Sequence, residues 1–386
     1  MKAVFVNRFF YPDLAPTGLL AADVAFDLAR RGWEVHAVTS RQRYQDAGAG
    51  LPAGETISGV RVHRVWSTRF GRAGTLGRAF DYASFYVSAT LALVRLLRKG
   101  DVVVAKTDPP LISVFALLAA RMRGARLVNW LEDVFPEVAQ HVGMRLGPVA
   151  LIAKWLRNAS VRGASANVML GARMEAEVAR LVPGTRLERI ADWADGEAIR
   201  PLAFPSGKFV VGYSGNFGRA HEWETVVRAI GLLRDEPGLA FSFTGGGHHF
   251  PRIVGLPNVV HRGYVPQERL SENLAASDVH LVTLLPQLEG LIMPSKLYGA
   301  MAAGRPVLFV GDLDGEVARM LRDHQCGLSV AAGDAEGLAK VVLDLKAHRE
   351  ICREMGQRAR AAFEAHYDKP IGVERWRVLL EKIARA

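Results

Sequence analysis

The stretch Glu289-Gly290-Leu291-Ile292-Met293-Pro294-Ser295-Lys296-Leu297-Tyr298-Gly299-Ala300-Met301-Ala302-Ala303-Gly304-Arg305-Pro306-Val307 decides how the rest of the chain is read. Pro294 and Ser295 read as the start of a short helix rich in small residues, Gly304 as its stop, and residues 306–310 as the strand that follows. A strand–helix–strand unit of this kind belongs to a parallel sheet with crossover helices. Free N–H groups at the helix start, with Lys296 beside them as a point charge, make a cradle for a diphosphate.

The same alternation runs outward in both directions. Towards the N-terminus of this stretch, strands are expected at residues 209–214, 240–244, 259–261 and 279–283, and beyond it at 328–330. Helices carrying Val226, Ile230 and Leu233, then residues 298–303 and 316–322, lie between them. A first series of strands is expected at residues 3–7, 34–39, 60–65, 101–105, 126–130 and 167–170. Its first crossover helix carries Leu20, Val24 and Leu28 behind Thr17 and Gly18 and ends at Gly32. Between the two series, residues 191–195 and the stretch of Pro201, Pro205, Ser206 and Gly207 read as the linker. The fold expected is therefore α/β: two Rossmann-like doubly wound domains at 1–193 and 194–365, facing each other across a crevice that holds the site. A last helix at 366–386, with Val373, Trp376, Leu379, Leu380 and Ile383 on its apolar face, either closes the second domain or crosses back to the first.

The length of 386 residues suits two domains, and 49% hydrophobic residues with a mean hydropathy of +0.09 suit packed cores rather than disorder. Two cysteines, Cys326 and Cys352, cannot build a disulfide framework, and a reducing compartment is expected. The net charge of +10 is confined to one half. Residues 1–193 hold 26 basic and 16 acidic side chains, whereas residues 194–386 hold 23 of each. The excess points to an anionic partner for the first domain, a bilayer or a pyrophosphate-bearing substrate, or to solubility alone. No helix-turn-helix, zinc or RNA-recognition signature supports nucleic acid. The uncharged stretches at 82–94 and 109–120 are shorter than the ~20 residues of a membrane helix. A cytoplasmic protein, at most lying on the inner face of the cytoplasmic membrane, is expected.

Three glycine clusters follow expected strands: Gly215-Asn216-Phe217-Gly218, Gly245-Gly246-Gly247, and Gly18. None has the spacing of the dinucleotide fingerprint, which argues against a nicotinamide enzyme. Adjacent His248 and His249 lack nearby carboxylates and read as solvent-exposed rather than as metal ligands. Phe80, Tyr82, Phe85 and Tyr86, followed by Arg95, Arg98 and Lys99 and flanked by Arg69, Arg72 and Arg78, read either as an interfacial amphipathic helix or as a buried one.

Pro294-Ser295-Lys296-Leu297-Tyr298 together with residues 302–307 resembles the donor-site segment of retaining, nucleotide-sugar-dependent glycosyltransferases of the GT-B fold, family 4. The resemblance is closest to the bacterial branch that builds colanic acid, O-antigen and capsule. Phe10-Tyr11-Pro12-Asp13 with Thr17-Gly18, Thr107-Asp108-Pro109-Pro110, Asp133-Val134-Phe135-Pro136-Glu137, Asp192-Trp193, Tyr213-Ser214-Gly215-Asn216 and Ala276-Ser277-Asp278-Val279 agree with it, in the family's order.

The resemblance implies a first domain that binds a lipid-linked or oligosaccharide acceptor through Thr17, Gly18 and Asp108. It implies a second domain that binds a nucleoside-diphosphate sugar, and no metal or other cofactor. Pro294, Ser295, Lys296 and Leu297 would cradle phosphate and sugar, and Glu289 and Gly290 would hold sugar hydroxyls. Gly215, Asn216, Gly218, Gly245 and Gly247 would form the phosphate-side turns, with Tyr264 and Val265 beside the base. Asp133, Lys296 and Glu289 are the expected catalytic groups, Asp133 beneath the sugar unless it caps a helix opened by Pro136. Two departures stand out. Gly299 takes the place of the family's second glutamate, and Arg219 and His221 stand where relatives carry an Arg/Lys pair. If His221 supplies the missing cation, donor affinity would fall as it deprotonates near its ordinary pKa of ~6.5. A sugar-nucleotide epimerase or hydrolase of the same fold, using Glu132, Asp133 and Glu137 as acid and base, is the alternative.

Overall fold

A computed structural model describes residues 1–13, 15–43, 50–70 and 75–386. The chain divides into two compact units, Met1–Ala191 with Gly372–Ala386, and Asp192–Ile371. Unit 1 contains an eight-stranded sheet: β1 (Lys2–Val6), β2 (Glu34–Ser40), β3 (Gly54–Ile57), β4 (Val60–Val65), β5 (Val102–Ala105), β6 (Arg126–Trp130), β7 (Ala166–Met169) and β8 (Leu187–Arg189). Their order is β3-β4-β2-β1-β5-β6-β7-β8, and every pairing is parallel except that of β3 with β4. Burial on both faces explains the near-continuous apolar runs of β1 and β5. β3 and β8 lie at the edges with exposed or half-exposed residues, and neither shows the apolar run that marks the other strands.

Unit 2 contains six parallel strands: β9 (Phe209–Asn216), β10 (Leu239–Gly246), β11 (Val259–Arg262), β12 (Val279–Thr283), β13 (Val307–Gly311) and β14 (Gly327–Ala331). The order β11-β10-β9-β12-β13-β14 is that of the dinucleotide-binding fold, with its switch point between β9 and β12. Phe209, Val211, Tyr213, Phe241, Phe243 and Leu281 carry the core from these strands to the helix Glu224–Leu232. Cys326 and Cys352 are both buried and free.

The opening stretch is built as its residues demand. The helix runs Lys296–Ala302, and Gly304, at φ +65°, turns the chain into β13. Buried Arg305 then donates to the carbonyls of Ser277, Leu202, Ala203 and Ala275, which fastens the linker residues 202–203 to unit 2. Asp192 and Trp193, expected in the linker, are buried.

The C-terminal helix Lys369–Arg385 packs within unit 1 from Gly372 onward, where Trp376 stacks on Trp130 with ring centroids 4.0 Å apart. No helix among the described residues is long and apolar enough to cross a membrane.

Candidate active site

In unit 2 the loops leaving the carboxyl ends of β9 and β12 converge on Lys296. Gly215, at φ +117°, lies against its stem: a Cβ there would stand 3.0 Å from Lys296 Cε, so glycine is what leaves the lysine its channel. The Lys296 ammonium lies 3.3 Å from Nε2 of His221 and 5.4 Å from the Tyr213 ring centroid. Nδ1 of His221 lies 2.8 Å from the Thr283 carbonyl oxygen, which can only accept, so Nδ1 carries the proton and Nε2 accepts from the ammonium. Burial, and then the neighbouring Lys296 charge, push the His221 pKa down to about 3. His221 is therefore neutral, and the expectation that it replaces a missing cation is corrected: it is a hydrogen-bond acceptor that aims one. Burial also lowers Lys296 to about 8.

The turns around this lysine are tightly tied. The Tyr213 hydroxyl donates to the Asn216 carbonyl at 2.8 Å, Phe217 N–H to Gly246 O at 2.7 Å, and His221 N–H to Gly218 O at 3.2 Å. Gly245 and Gly247, both at φ +130°, face the backbone of Gly215 and of Phe217 so closely that any Cβ would overlap it. Gly218 lies against the Asn216 side-chain amide. Asn216 and Arg219 are exposed at the rim, as is Tyr264, whose ring rests on Gly246; Val265 is half-buried. His249, expected to be exposed, is buried and stacks on Trp223, while His248 is exposed. No group of three or more His, Cys, Asp or Glu side chains placed to hold a metal occurs among the described residues.

Two expected contacts have other work. Glu289 accepts a 2.7 Å hydrogen bond from the N–H of Glu316, at the start of the helix Glu316–Asp323. Its carboxylate thereby caps that helix. Gly290, at φ +76°, makes the turn behind it. Leu297 is wholly buried and its N–H reaches back to the Pro294 carbonyl. Pro294 is buried and Ser295 exposed, the latter at the cap position with no side-chain cap bond. Gly299 has room, since a Cβ there would meet only Leu274 at 3.6 Å.

In unit 1 a pocket at the carboxyl ends of β5 and β6 is lined by Lys106, Thr107, Ser113, Asp133, Phe135 and Arg157. Lys106 pairs with Glu132 and lies 3.5 Å from the Trp130 ring centroid. Arg157 donates to Glu137 at 2.9 Å. Asp133 is the carboxylate left over. Its Oδ1 is buried without a hydrogen-bond partner, and burial, with Glu132 and Asp108 nearby, raises its pKa to about 7. It does not cap the helix Glu137–His141, whose first position has no side-chain cap. Thr17 and Gly18 lie inside the first turn of the helix Pro16–Arg30, where Thr17 accepts from Asn7 and Gly18 presses on the Phe9 carbonyl.

Residues 20–193 match the family described as "Glycosyl transferase 4-like domain", and residues 208–348 match "Glycosyl transferases group 1". The probable glycosyltransferase WbjE of Pseudomonas aeruginosa is 29% identical over 78% of both chains. The putative colanic acid biosynthesis glycosyl transferase WcaI of Escherichia coli is 26% identical over 93% of this chain and 96% of its own. Among solved structures, Anabaena HepE in complex with UDP superposes with a TM-score of 0.71 at 15% identity, covering 99% of this chain and all of that one.

Proposed function

Because the chain belongs to the GT-B glycosyltransferases, with a 4-like domain followed by a group 1 domain, we propose that it transfers a sugar from a nucleoside diphosphate to a lipid-linked saccharide, with retention, during assembly of a cell-surface polysaccharide. The observation that carries the donor assignment is the Lys296 ammonium, aimed by neutral His221 at the switch point of unit 2. UDP in the HepE complex and the colanic acid pathway in the name of WcaI support the class of donor and the setting.

Breaking the bond between the anomeric carbon and the diphosphate leaves negative charge on phosphate oxygen. Lys296, with Arg219 at the rim, offsets that charge in a partly desolvated site, where a fixed cation counts for more than in water. The acceptor hydroxyl bonds to the anomeric carbon on the face the diphosphate leaves, and its proton passes to the departing phosphate oxygen. Within unit 1, Asp133, the unpaired carboxylate of the pocket, is the group that would hold an acceptor hydroxyl. The epimerase or hydrolase alternative needs a free pair of carboxylates, and Glu132 and Glu137 are both held in ion pairs.

A panel of UDP- and GDP-sugars, read by thermal shift and by slow release of nucleoside diphosphate, tests the proposal. Wild type responds to at least one donor and the Lys296→Ala variant to none. A folded wild-type sample that ignores every sugar nucleotide overturns it.

A further inference from the structure

The helix Val149–Gly163 is built inside out. Its buried face is Ala150, Ala153, Arg157, Ser160 and Val161. Its large apolar side chains lie in water instead: Val149 at 62% exposure, Leu151 at 72%, Ile152 at 59% and Trp155 at 68%. A soluble surface helix has the opposite arrangement. The helix packs beside Ile112–Arg123, which adds exposed Leu118 and Met122, and that helix in turn packs beside Thr75–Leu96, with exposed Val87 and Leu91. An apolar surface continued over three neighbouring helices marks an interaction face.

Charge says what covers it. The three helices together carry seven basic residues and one acidic residue, Asp81, which is buried. Arg121, Arg123 and Arg162 are exposed around the apolar residues, and Lys154 is half-buried among them. A second copy of this chain would bring the same cations against themselves. An anionic bilayer satisfies both features, taking apolar side chains into the acyl boundary and cations at the headgroups, with Trp155 suited to the level between. We infer that the face formed by Val149, Leu151, Ile152, Trp155, Leu118 and Met122, ringed by arginines, docks unit 1 on an anionic lipid surface. This face adjoins the aromatic and basic run between Arg69 and Lys99 that the sequence suggests, whose helix supplies Val87 and Leu91; Arg72 of that run lies outside the described residues.

Co-sedimentation of the full chain with phosphatidylglycerol-containing and with pure phosphatidylcholine vesicles, at low and high salt, tests the inference. Wild type partitions to the anionic vesicles, and salt weakens it. Leu151→Ser/Ile152→Ser/Trp155→Ser removes exposed groups only, keeps its melting temperature and its response to nucleotide, and loses partitioning at least tenfold. Arg121→Gln/Arg123→Gln/Arg162→Gln also loses at least tenfold, since each charge at such a surface is worth roughly fivefold. Equal binding of wild type to neutral vesicles overturns the inference, and so does undiminished binding of the serine variant. So does a wild-type dimer in solution that the serine variant abolishes, which would assign the face to a second copy.

Discussion

The hydrogen bond from Lys296 to His221 makes donor binding depend on pH in an unusual range. With its pKa lowered to about 8 by burial, Lys296 is roughly 90% charged at pH 7 and roughly 10% charged at pH 9, whereas an ordinary lysine at ~10.4 stays charged throughout. If only the ammonium holds the diphosphate, apparent affinity scales with the charged fraction and falls about tenfold between those two values. UDP itself completes its last ionisation near pH ~6 and does not change over the range. His221, at about 3, stays neutral, so no inflection near 6.5 is expected.

Stability of the unliganded protein runs the other way. The folded-state pKa of Lys296 lies below its unfolded value of 10.5. Between about 8 and 10.5 the unfolded chain therefore holds more protons, and stability rises with pH, relieving a penalty on the order of 3 kcal/mol that is fully present below 8. Calorimetric titration with UDP at pH 7, 8 and 9, beside Lys296→Gln, measures the first effect, and denaturant melts at the same pH values measure the second. Equal UDP affinity at pH 7 and 9, or the same slope in the Lys296→Gln variant, would refute the reasoning.

Gly215→Ala, strained at φ +117° and with its Cβ 3.0 Å from the lysine stem, should lower the stability of unit 2 and weaken UDP binding at least tenfold; denaturant melts and calorimetry check the two effects. Glu289→Ala should lower the stability of unit 2 by about 1–2 kcal/mol through loss of the cap on Glu316, while Glu289→Gln, which still offers an oxygen, costs less; denaturant unfolding separates them. Asp133→Asn should lose transfer activity yet stabilise unit 1 at pH 8, because a carboxyl raised to about 7 is disfavoured when ionised. Its stabilising effect appears as pH rises from 4 through 7 and vanishes at lower pH, and a melting difference independent of pH would contradict this assignment.

The strands buried on both faces were legible because apolar runs bounded by glycine and proline have few other structural uses. The edge strands β3 and β8 were not, since half-exposed residues such as those of Gly54–Ile57 carry no periodic signal. At the site, Lys296 and the glycines that flank it announce themselves by residue type. What His221 and Glu289 do does not, because it depends on partners 62 and 27 residues away in the chain, Thr283 and Glu316. A histidine beside an arginine reads as a second cation; only burial against a carbonyl makes it an acceptor. Asp133 stands out in the structure because the cations nearby are already taken by Glu132 and Glu137, a subtraction that a motif does not record.

The return of the chain to unit 1 means that the first unit is the last to be completed. Trp376, the partner that covers Trp130, is translated after the whole of Asp192–Ile371. Unit 2 thus has all its strands in hand while the nascent first unit still lacks the ring that covers Trp130. The crossing segments meet at Ala194 and Asp368, where Ala194 N–H donates to Tyr367 and Lys369 N–H donates to Ala194. This clasp lies within unit 2 and forms only when synthesis has passed residue 369, and the first unit is completed later still, when Trp376 has been made.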